Sequence, residues 1–303
     1  MTVETMPARP RPLRGVLLVM LATLAFAAAD TITKDQAMRH PVNVVMAIRY
    51  LVNLALLTVF LGPRVGAGLW RTQRSGLVFA RALSLAVASL SMAMALRLMP
   101  VGEAAAISYI APVAVMLLAI PLLGERVGPA GWAGAALGFL GVLLIAQPGG
   151  GLDPLGVVFA LINAAVSCAY FLLTRVLTRT ETTIAMLYHT ALVGSVVFCA
   201  LAIFSLDGLA MTLADVGMIA VLGALMTAGH FLFTSAYREA PASMLAPVNY
   251  LHLFWAGGLS WLVFGHVPDL LSIGGMIMVG VSGIVVTLSA WWTRARMPPP
   301  EPQ

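Results

Sequence analysis

Long apolar stretches separated by short polar turns dominate the pattern of this chain. A helix needs about 20 mostly apolar residues to cross the hydrocarbon core of a bilayer. Ten stretches meet this length, and Pro, Gly and charged residues gather between them, as is typical of turns. The pattern predicts an all-α polytopic membrane protein with ten transmembrane helices, over residues 13–33, 42–62, 75–97, 102–122, 129–147, 155–175, 184–206, 214–236, 243–264 and 272–292.

The second half of the chain repeats the first at an offset of 141 residues. Identical residues recur at that offset, among them Arg97 and Arg238, Pro100 and Pro241, Tyr109 and Tyr250, and Gly124 and Gly265. Because each copy has an odd number of spans, the second copy enters the membrane upside down, and such inverted repeats are typical of secondary transporters. The predicted units are a cytoplasmic tail over 1–12, a first five-helix repeat over 13–148, a hinge loop over 149–154, a second repeat over 155–292 and a cytoplasmic tail over 293–303.

Composition supports lipid as the solvent of this chain. Hydrophobic residues make up 60% of it and charged residues only 10%, whereas soluble domains carry about 25% charged residues. The net charge of +5 does not indicate nucleic acid, because the basic residues lie mostly in short loops between apolar stretches. Of the 17 Lys and Arg residues, twelve lie on the side of both termini, three on the other side and two, Arg49 and Arg81, inside spans. The positive-inside rule therefore predicts that both termini are cytoplasmic.

Two motifs connect this architecture to a known family. Near the start of helices 4 and 9 a proline is followed nine residues later by a tyrosine, and the turn Leu-Leu-Gly-Glu-Arg over 122–126 follows helix 4. With the ten spans and two copies, these motifs resemble EamA-type transporters of the drug/metabolite transporter superfamily, in particular its amino-acid and metabolite exporters. The resemblance implies a central cavity lined mainly by helices 1, 3, 4, 6, 8 and 9. The second repeat departs from the pattern, since Gly265-His266-Val267 replaces Gly-Glu-Arg.

Three charged residues near the outer ends of helices 1 and 2 are gate candidates. Asp30 lies about one turn from the predicted end of helix 1, and Arg49 lies about 10 Å into helix 2. Lys34 is one turn from Asp30 on the same helix and is a second possible partner. We expect Asp30 within hydrogen-bonding reach of Arg49 or Lys34 when the outer side is closed. Such a pair is either a fixed structural link or a gate that breaks and forms in each cycle.

The polar residues inside the other spans are candidates for substrate binding, because lipid cannot satisfy them. Arg81 either holds a substrate carboxylate, which suits a guanidinium group, or snorkels toward lipid phosphate. For the hydroxyl groups, ordinary hydrogen bonding between helices is the alternative. Aromatic rings suit flat substrates, and histidines suit proton coupling. The predicted substrate-binding residues, expected to converge on one cavity, are Arg81, Tyr109, Asn163, Tyr170, His230, Asn249, Tyr250, His252 and Trp255.

Small residues recur along helices 5 and 10 and predict close contact between helices rather than a substrate role. These are Gly131, Gly134, Gly138 and Gly141 in helix 5, and Gly274, Gly275, Gly280 and Gly283 in helix 10.

The sequence thus predicts a secondary transporter that exports amino acids, including aromatic ones, by alternating access around a cavity between the repeats. Uptake of riboflavin or S-adenosylmethionine by the same fold is the alternative that the resemblance leaves open. An embedded enzyme is disfavoured, because neither HExxH nor GxSxG occurs. We expect no cofactor, no metal site and no nucleic-acid partner. The expected partners are a small-molecule substrate and the lipid bilayer of a bacterial-type inner membrane, with a proton as candidate coupling ion and either a monomer or a homodimer as the assembly.

Overall fold

The computed structural model describes residues 12–111, 114, 129–147, 151–177, 180–239, 245 and 248–295. The two predicted tails lie largely outside these residues, as do the turn over 122–126 and positions 148–150 beside and within the hinge loop. The described residues form ten α-helices: α1 Pro12–Arg39, α2 Val42–Val65, α3 Ser75–Leu98, α4 Val101–Ser108, α5 Pro129–Ala146, α6 Pro154–Leu177, α7 Thr183–Ala202, α8 Leu213–Glu239, α9 Leu251–Phe264 and α10 Leu270–Ala295. Two short 3₁₀ segments, Gly66–Leu69 and Ile203–Ser205, follow α2 and α7. The predicted all-α fold is confirmed.

Six of these helices are long and apolar enough to cross a membrane within their described parts. They are Leu13–Arg39, Val42–Leu69, Ser75–Leu98, Pro154–Thr174, Thr183–Ser205 and Leu213–Ala236. Three shorter apolar helices accompany them, namely Trp132–Ala146, Leu251–Phe264 and Leu270–Val285. The chain is a polytopic membrane protein.

Several helices begin at residues suited to that position. Thr182 precedes α7 and its hydroxyl accepts a hydrogen bond from the backbone N–H of Ala185 at 3.2 Å. At the start of α8, Thr212 and Asp215 each accept from the other's backbone N–H, at 3.1 and 3.0 Å. This reciprocal capping satisfies two N–H groups that the first turn of a helix leaves without an internal partner. Asp269 does the same for α10, accepting from Ser272 N–H at 2.6 Å. That bond and one from Gln147 hold the pKa of the Asp269 carboxyl below its usual range.

Helix α1 is longer than the sequence pattern predicts, because it continues to Arg39 rather than ending near residue 33. Its last two turns are polar, so hydropathy places them outside the span. Contacts hold them in the helix instead: Gln36 is buried, and Asp35 pairs with Arg39 one turn later. Asp30 therefore lies about 14 Å from the end of its helix, well inside the bundle, and not about one turn from it.

The helices pack as two repeat-related sets. Under the 141-residue offset, helices α1, α2, α3 and α5 correspond to α6, α7, α8 and α10. The packing of α1 on α8 has its equivalent in α6 on α3, and that of α2 on α8 in α7 on α3. The pairs α2–α7 and α5–α10 each join a helix to its own equivalent. This is the arrangement expected of two repeats around a pseudo-two-fold axis, and it brings α1 to α4 and α6 to α9 around a common centre.

The close approach of α5 and α10 depends on glycine. A Cβ atom on Gly275 would lie 2.5 Å from the carbonyl oxygen of Gly141, which is too close for any side chain. The repeat equivalents of these residues are Gly134 and Ser282, and there the Ser282 hydroxyl donates to the Gly134 carbonyl at 2.6 Å. The glycines at 134, 141 and 275 thus mediate the close helix contact that their spacing predicts.

Candidate functional site

A cavity of about 760 Å³ lies between the two repeats. Its deep end is lined by Asp30 on α1, His252 on α9 and Tyr109, which follows α4. From there it reaches Arg64, near the end of α2, and Thr183, at the start of α7. Those two residues lie at the face of the bundle where α1 begins, which we call the terminal face.

The face opposite the terminal face is tied together by polar contacts between different helices. Lys34 of α1 donates to the carbonyl oxygens of Leu96 and Met99 at the end of α3, both at 2.9 Å. His266, beyond α9, lies 2.8 Å from the buried carboxylate of Glu103 on α4. A third contact joins α1 to α8: Arg39 and the following residue His40 lie 3.5 and 3.4 Å from the carboxylate of Asp215. The cavity therefore approaches the terminal face while the opposite face is held closed.

Asp30 meets a different partner from those that its position in the sequence suggests. Its Oδ2 lies 3.3 Å from Nε2 of His252, and neither Arg49 nor Lys34 forms an ion pair with it in the described structure. Lys34, one turn away on α1, instead donates to the carbonyl oxygens of Leu96 and Met99. His252 is buried, its ring stacks on Tyr109 with centroids 5.6 Å apart, and its Nδ1 has no partner among the described residues. The Asp30–His252 pair joins the first repeat to the second.

Arg49 lines the cavity from α2 and is only 4% exposed. Its guanidinium carbon lies 4.2 Å from the centre of the Tyr50 ring. Two of its nitrogen atoms, Nε and Nη2, are buried and have no hydrogen-bond partner in the described part of the chain. The cation is thus held beside the cavity with donor groups unused.

Arg81 has the opposite environment, and neither prediction made for it matches the structure. It is 3% exposed and does not line the cavity, so it does not snorkel to lipid phosphate. Its Nε donates to Thr174 at 2.7 Å, Nη2 to the Tyr170 hydroxyl at 2.7 Å, and Nη1 to Thr190 and the Met186 carbonyl at 3.0 and 3.2 Å. Four of its five N–H groups are thus bonded to the protein, and the group lies outside the cavity wall where a substrate carboxylate would bind. Tyr170 faces this network and not the cavity.

The predicted residues on α9 and just before it divide between the cavity wall and the layer behind it. His252 is on the wall, whereas Asn249, Tyr250 and Trp255 are not. The ring of Tyr250 packs 5.3 Å from that of its repeat equivalent Tyr109, and the Tyr109 hydroxyl donates to the Asn249 carbonyl at 3.1 Å. Tyr250 and Asn249 therefore support Tyr109 from behind the wall.

The remaining predicted residues are on the wall. His230 of α8 lines the cavity, and Phe26 of α1 meets its ring edge-on at 5.0 Å. Asn163 of α6 also lines it and is oriented by donating to the Ala88 carbonyl at 2.8 Å. Thus four predicted binding residues, Tyr109, Asn163, His230 and His252, share one cavity with the two predicted gate residues Asp30 and Arg49.

Helices α2 and α7 contribute more of the wall than the family resemblance implies. Tyr50 and Asn53 line the cavity beside Arg49, and Thr190 and Ala191 face it from α7. Asn53 is also in hydrogen-bond contact with Thr227 of α8. The signal in the sequence was the spacing of Arg49 and Asn53, one helical turn apart in an otherwise apolar span.

Among the described residues, no group of three or more His, Cys, Asp or Glu side chains could hold a metal ion. The groups that the cavity offers to a ligand include one carboxylate, one buried cation, two histidines, two amides and several aromatic rings.

Comparisons with known proteins agree with this architecture. The model of the EamA-like transporter family matches the chain twice, over residues 13–147 and 154–289. The chain is 24% identical to the pseudopaline exporter CntI of Pseudomonas aeruginosa over 90% of this chain and 95% of that protein. It is 27% identical to a riboflavin transporter of Rhizobium johnstonii over 90% of each, and 25% identical to an S-adenosylmethionine uptake transporter of Rickettsia bellii over 88% and 90%.

A solved crystal structure has the same fold, with a TM-score of 0.63 and 21% sequence identity. The match covers 94% of this chain and 98% of the other. The likeness at this identity concerns the fold. The family model, by contrast, matches once in each of the two repeats and together these matches span nearly the whole chain. The chain belongs to the EamA-like transporter family, and it is a membrane transporter.

Proposed function

We propose that this chain is a secondary transporter that exports amino acids, including aromatic ones, from the cytoplasm. The observation that carries the proposal is the cavity, which offers a cation at Arg49, a carboxylate at Asp30 and aromatic rings at Tyr50 and Tyr109. A zwitterionic substrate with an apolar side chain needs all three. Few polar groups on a mostly apolar wall are the usual composition of a small-molecule site.

The closed and open ends of the cavity match the state in which an exporter takes up its substrate. The cavity reaches the terminal face, which the distribution of Lys and Arg predicts to be cytoplasmic, and the ties from Lys34, Glu103 and Asp215 close the opposite face. A substrate from the cytoplasm would enter this state directly. Alternating access would then require the Lys34, His266 and Arg39 contacts to open while the terminal face closes.

A proton is the coupling ion that we propose. Asp30 and His252 lie 3.3 Å apart in the cavity and belong to different repeats, so a proton taken up there changes the attraction between the repeats. The charged and titratable groups that share this end of the cavity are Tyr109, Arg49 and His230. Histidine exchanges protons near neutral pH, which suits it to such coupling.

Uptake of riboflavin or S-adenosylmethionine is the second candidate. Two relatives carry these substrates in their names, and both match along nearly the whole chain. The cavity volume of about 760 Å³ falls within the range of about 300–1,000 Å³ that is usual for drug-sized ligands, which supports a substrate larger than an amino acid.

The test is transport by the purified full chain in liposomes. Labelled phenylalanine, tyrosine, riboflavin and S-adenosylmethionine would be loaded on either side, with and without a pH gradient. We expect phenylalanine or tyrosine to move, and to move faster when protons flow the opposite way. Movement of riboflavin or S-adenosylmethionine alone would replace the amino-acid proposal by the second candidate. In Asp30→Asn, transport should no longer respond to the pH gradient, whereas Tyr188→Phe, which alters a hydroxyl outside the cavity wall, should behave as the parent.

A further inference from the structure

The most unusual group of the cavity is the Arg49 guanidinium. A buried cation normally has a counter-charge or a full set of hydrogen-bond acceptors, because removal from water is costly. Arg49 has neither in the described structure: Nε and Nη2 are buried without partners, and no carboxylate lies within ion-pair distance. Asp30 shares the cavity, but its carboxylate faces His252. Among the described residues, the Tyr50 ring is thus the one group that offsets this positive charge, and no anion does so.

The residues at repeat-equivalent positions differ around the two buried arginines, Arg49 and Arg81. Arg49 corresponds to Thr190, which accepts a hydrogen bond from Arg81. The residue equivalent to Arg81 is Leu222, and the residue equivalent to Tyr170 is Ala29. Where one site has Arg81 as donor and Tyr170 as acceptor, the repeat-related site has the apolar side chains of Leu222 and Ala29. The site of Arg49 therefore lacks counterparts of Arg81 and Tyr170, and keeps only Thr33 as the counterpart of Thr174.

Neighbouring residues hold in place the Tyr50 ring over which the Arg49 guanidinium lies. The Tyr50 ring stacks on Phe198 with centroids 5.2 Å apart, and its hydroxyl is 2.9 Å from that of Ser89. Gly194 makes room for this ring, since a Cβ atom there would overlap it. The guanidinium carbon lies over this ring, which its neighbours hold in one position beside the cavity.

We propose that Arg49 is the anion-binding residue of the cavity and that transported substrates carry a carboxylate group that closes onto its Nε–Nη2 edge. The two unused donors are the adjacent pair that a planar carboxylate accepts in parallel. The arginine lines the cavity while these two atoms are turned into the wall, so binding includes a rotation of the side chain toward the ligand. The inference rests on the proposed transport function and names the substrate class of the same site.

The experiment measures anion binding without assuming the natural substrate. The full chain would be placed in nanodiscs of phosphatidylcholine, which supplies no net anionic headgroup, and its thermal unfolding followed at constant ionic strength. The probes are phenylacetate, inorganic phosphate and 2-phenylethylamine, which compare a planar carboxylate, a tetrahedral anion and a cation on similar scaffolds. Arg49→Gln removes the charge and Arg49→Lys keeps it without the fork. Arg71→Gln removes one charge from an exposed loop outside the cavity and is the matched control.

We expect phenylacetate to stabilise the parent chain and Arg71→Gln, and 2-phenylethylamine to stabilise neither. Arg49→Gln should weaken phenylacetate binding about 10- to 100-fold, the scale of lost charge-assisted hydrogen bonds. Arg49→Lys should retain part of the binding, more for phosphate than for phenylacetate. A larger shift with phosphate than with phenylacetate in the parent chain would overturn the carboxylate assignment.

Two further outcomes separate this inference from the proposed function. If Arg49→Gln moves phenylalanine in liposomes at the parental rate, the anion site is wrong and amino-acid transport stands. If no amino acid is transported but phenylacetate binding depends on Arg49, the substrate proposal fails and the anion site stands. A purely structural Arg49 would show a third pattern that also overturns the inference, namely a lower Tm of ligand-free Arg49→Gln with an unchanged phenylacetate shift.

Discussion

The two buried arginines of this transporter occupy repeat-related sites and have opposite environments. In one site Arg81 of α3 donates to Tyr170, Thr174 and Thr190. In the other, the arginine lies on α2, as Arg49, and Leu222 and Ala29 take the positions of Arg81 and Tyr170. One pair of packed helices thus uses a guanidinium to hold the bundle together, and its counterpart leaves a guanidinium free beside the cavity.

The different environments of Arg49 and Arg81 indicate that a charged residue at membrane depth is not by itself a sign of function. Both arginines are more than nine-tenths buried, and both lie over a tyrosine ring, at 4.2 Å for Arg49 and 4.4 Å for Arg81. What separates them is the set of acceptors supplied by other helices. An inverted repeat allows this comparison within one molecule. The two sites have equivalent positions in the fold and differ in the residues that surround the arginine.

The largest expected effect distinguishes the two arginines by their contribution to stability. Arg81→Leu should lower the free energy of unfolding by about 2–4 kcal/mol, since it removes four hydrogen bonds of a charged group and leaves a void. Arg49→Leu should leave the ligand-free protein unchanged or raise its stability by about 1–2 kcal/mol, because an uncompensated buried charge is replaced by an apolar group. Thermal unfolding of both variants in the same detergent measures this, and equal losses would remove the distinction.

The next prediction concerns the Tyr170 hydroxyl. Tyr170→Phe leaves Nη2 of Arg81 buried without its acceptor, so we expect a loss of about 1–3 kcal/mol. Tyr188→Phe is the control, because within the described structure Tyr188 contributes a ring contact with His189 and no hydroxyl bond; its effect should stay within about 0.5 kcal/mol. The comparison is read from thermal unfolding. A neutral Tyr170→Phe would mean that Arg81 is held by its threonine and carbonyl contacts alone.

The fold could be predicted from the sequence to a large extent. The lengths of the apolar stretches and the repeat offset depend only on the bilayer thickness and on internal symmetry, and neither requires knowledge of side-chain partners. The end of α1 could not be predicted from hydropathy, because Gln36 is buried by tertiary contacts although it is polar. That error of six residues changed the expected depth of Asp30, whose partner His252 comes from a distant helix that hydropathy does not identify.

The candidate site could be predicted only in part, since it depends on contacts between distant helices. Tyr109, Asn163, His230 and His252 were found because an unsatisfied polar group in a span must face the interior. The same rule cannot distinguish a cavity wall from a protein network, so it also selected Arg81 and Tyr170. The repeat offset held the missing information: Thr190 stands where the first repeat has Arg49, and Leu222 where it has Arg81.

A smaller effect on stability is expected from the Tyr50 hydroxyl. The Tyr50 hydroxyl contacts Ser89, and Arg49 interacts with the ring of Tyr50. Tyr50→Phe should therefore lower stability by about 0.5–1.5 kcal/mol and leave phenylacetate binding by Arg49 within about twofold of the parent. The pair of Tyr→Phe variants contrasts a hydroxyl that serves an arginine with one that does not. Loss of anion binding in Tyr50→Phe would show that the hydroxyl takes part in the site.

The smallest effect should come from an arginine that does have a carboxylate partner. Arg14 lies 3.1 Å from Glu239 and joins the start of α1 to the end of α8, but its side chain is 60% exposed. Water and salt screen such a pair, so Arg14→Gln should change the free energy of unfolding by less than about 1 kcal/mol. A double-mutant cycle with Glu239→Gln, measured at low and high salt, isolates the pair, and its coupling should fade as salt rises. If the exposed ion pair outweighs the neutral network of Arg81, then the presence of a counter-charge, and not burial with a full set of acceptors, decides what an arginine contributes to this bundle.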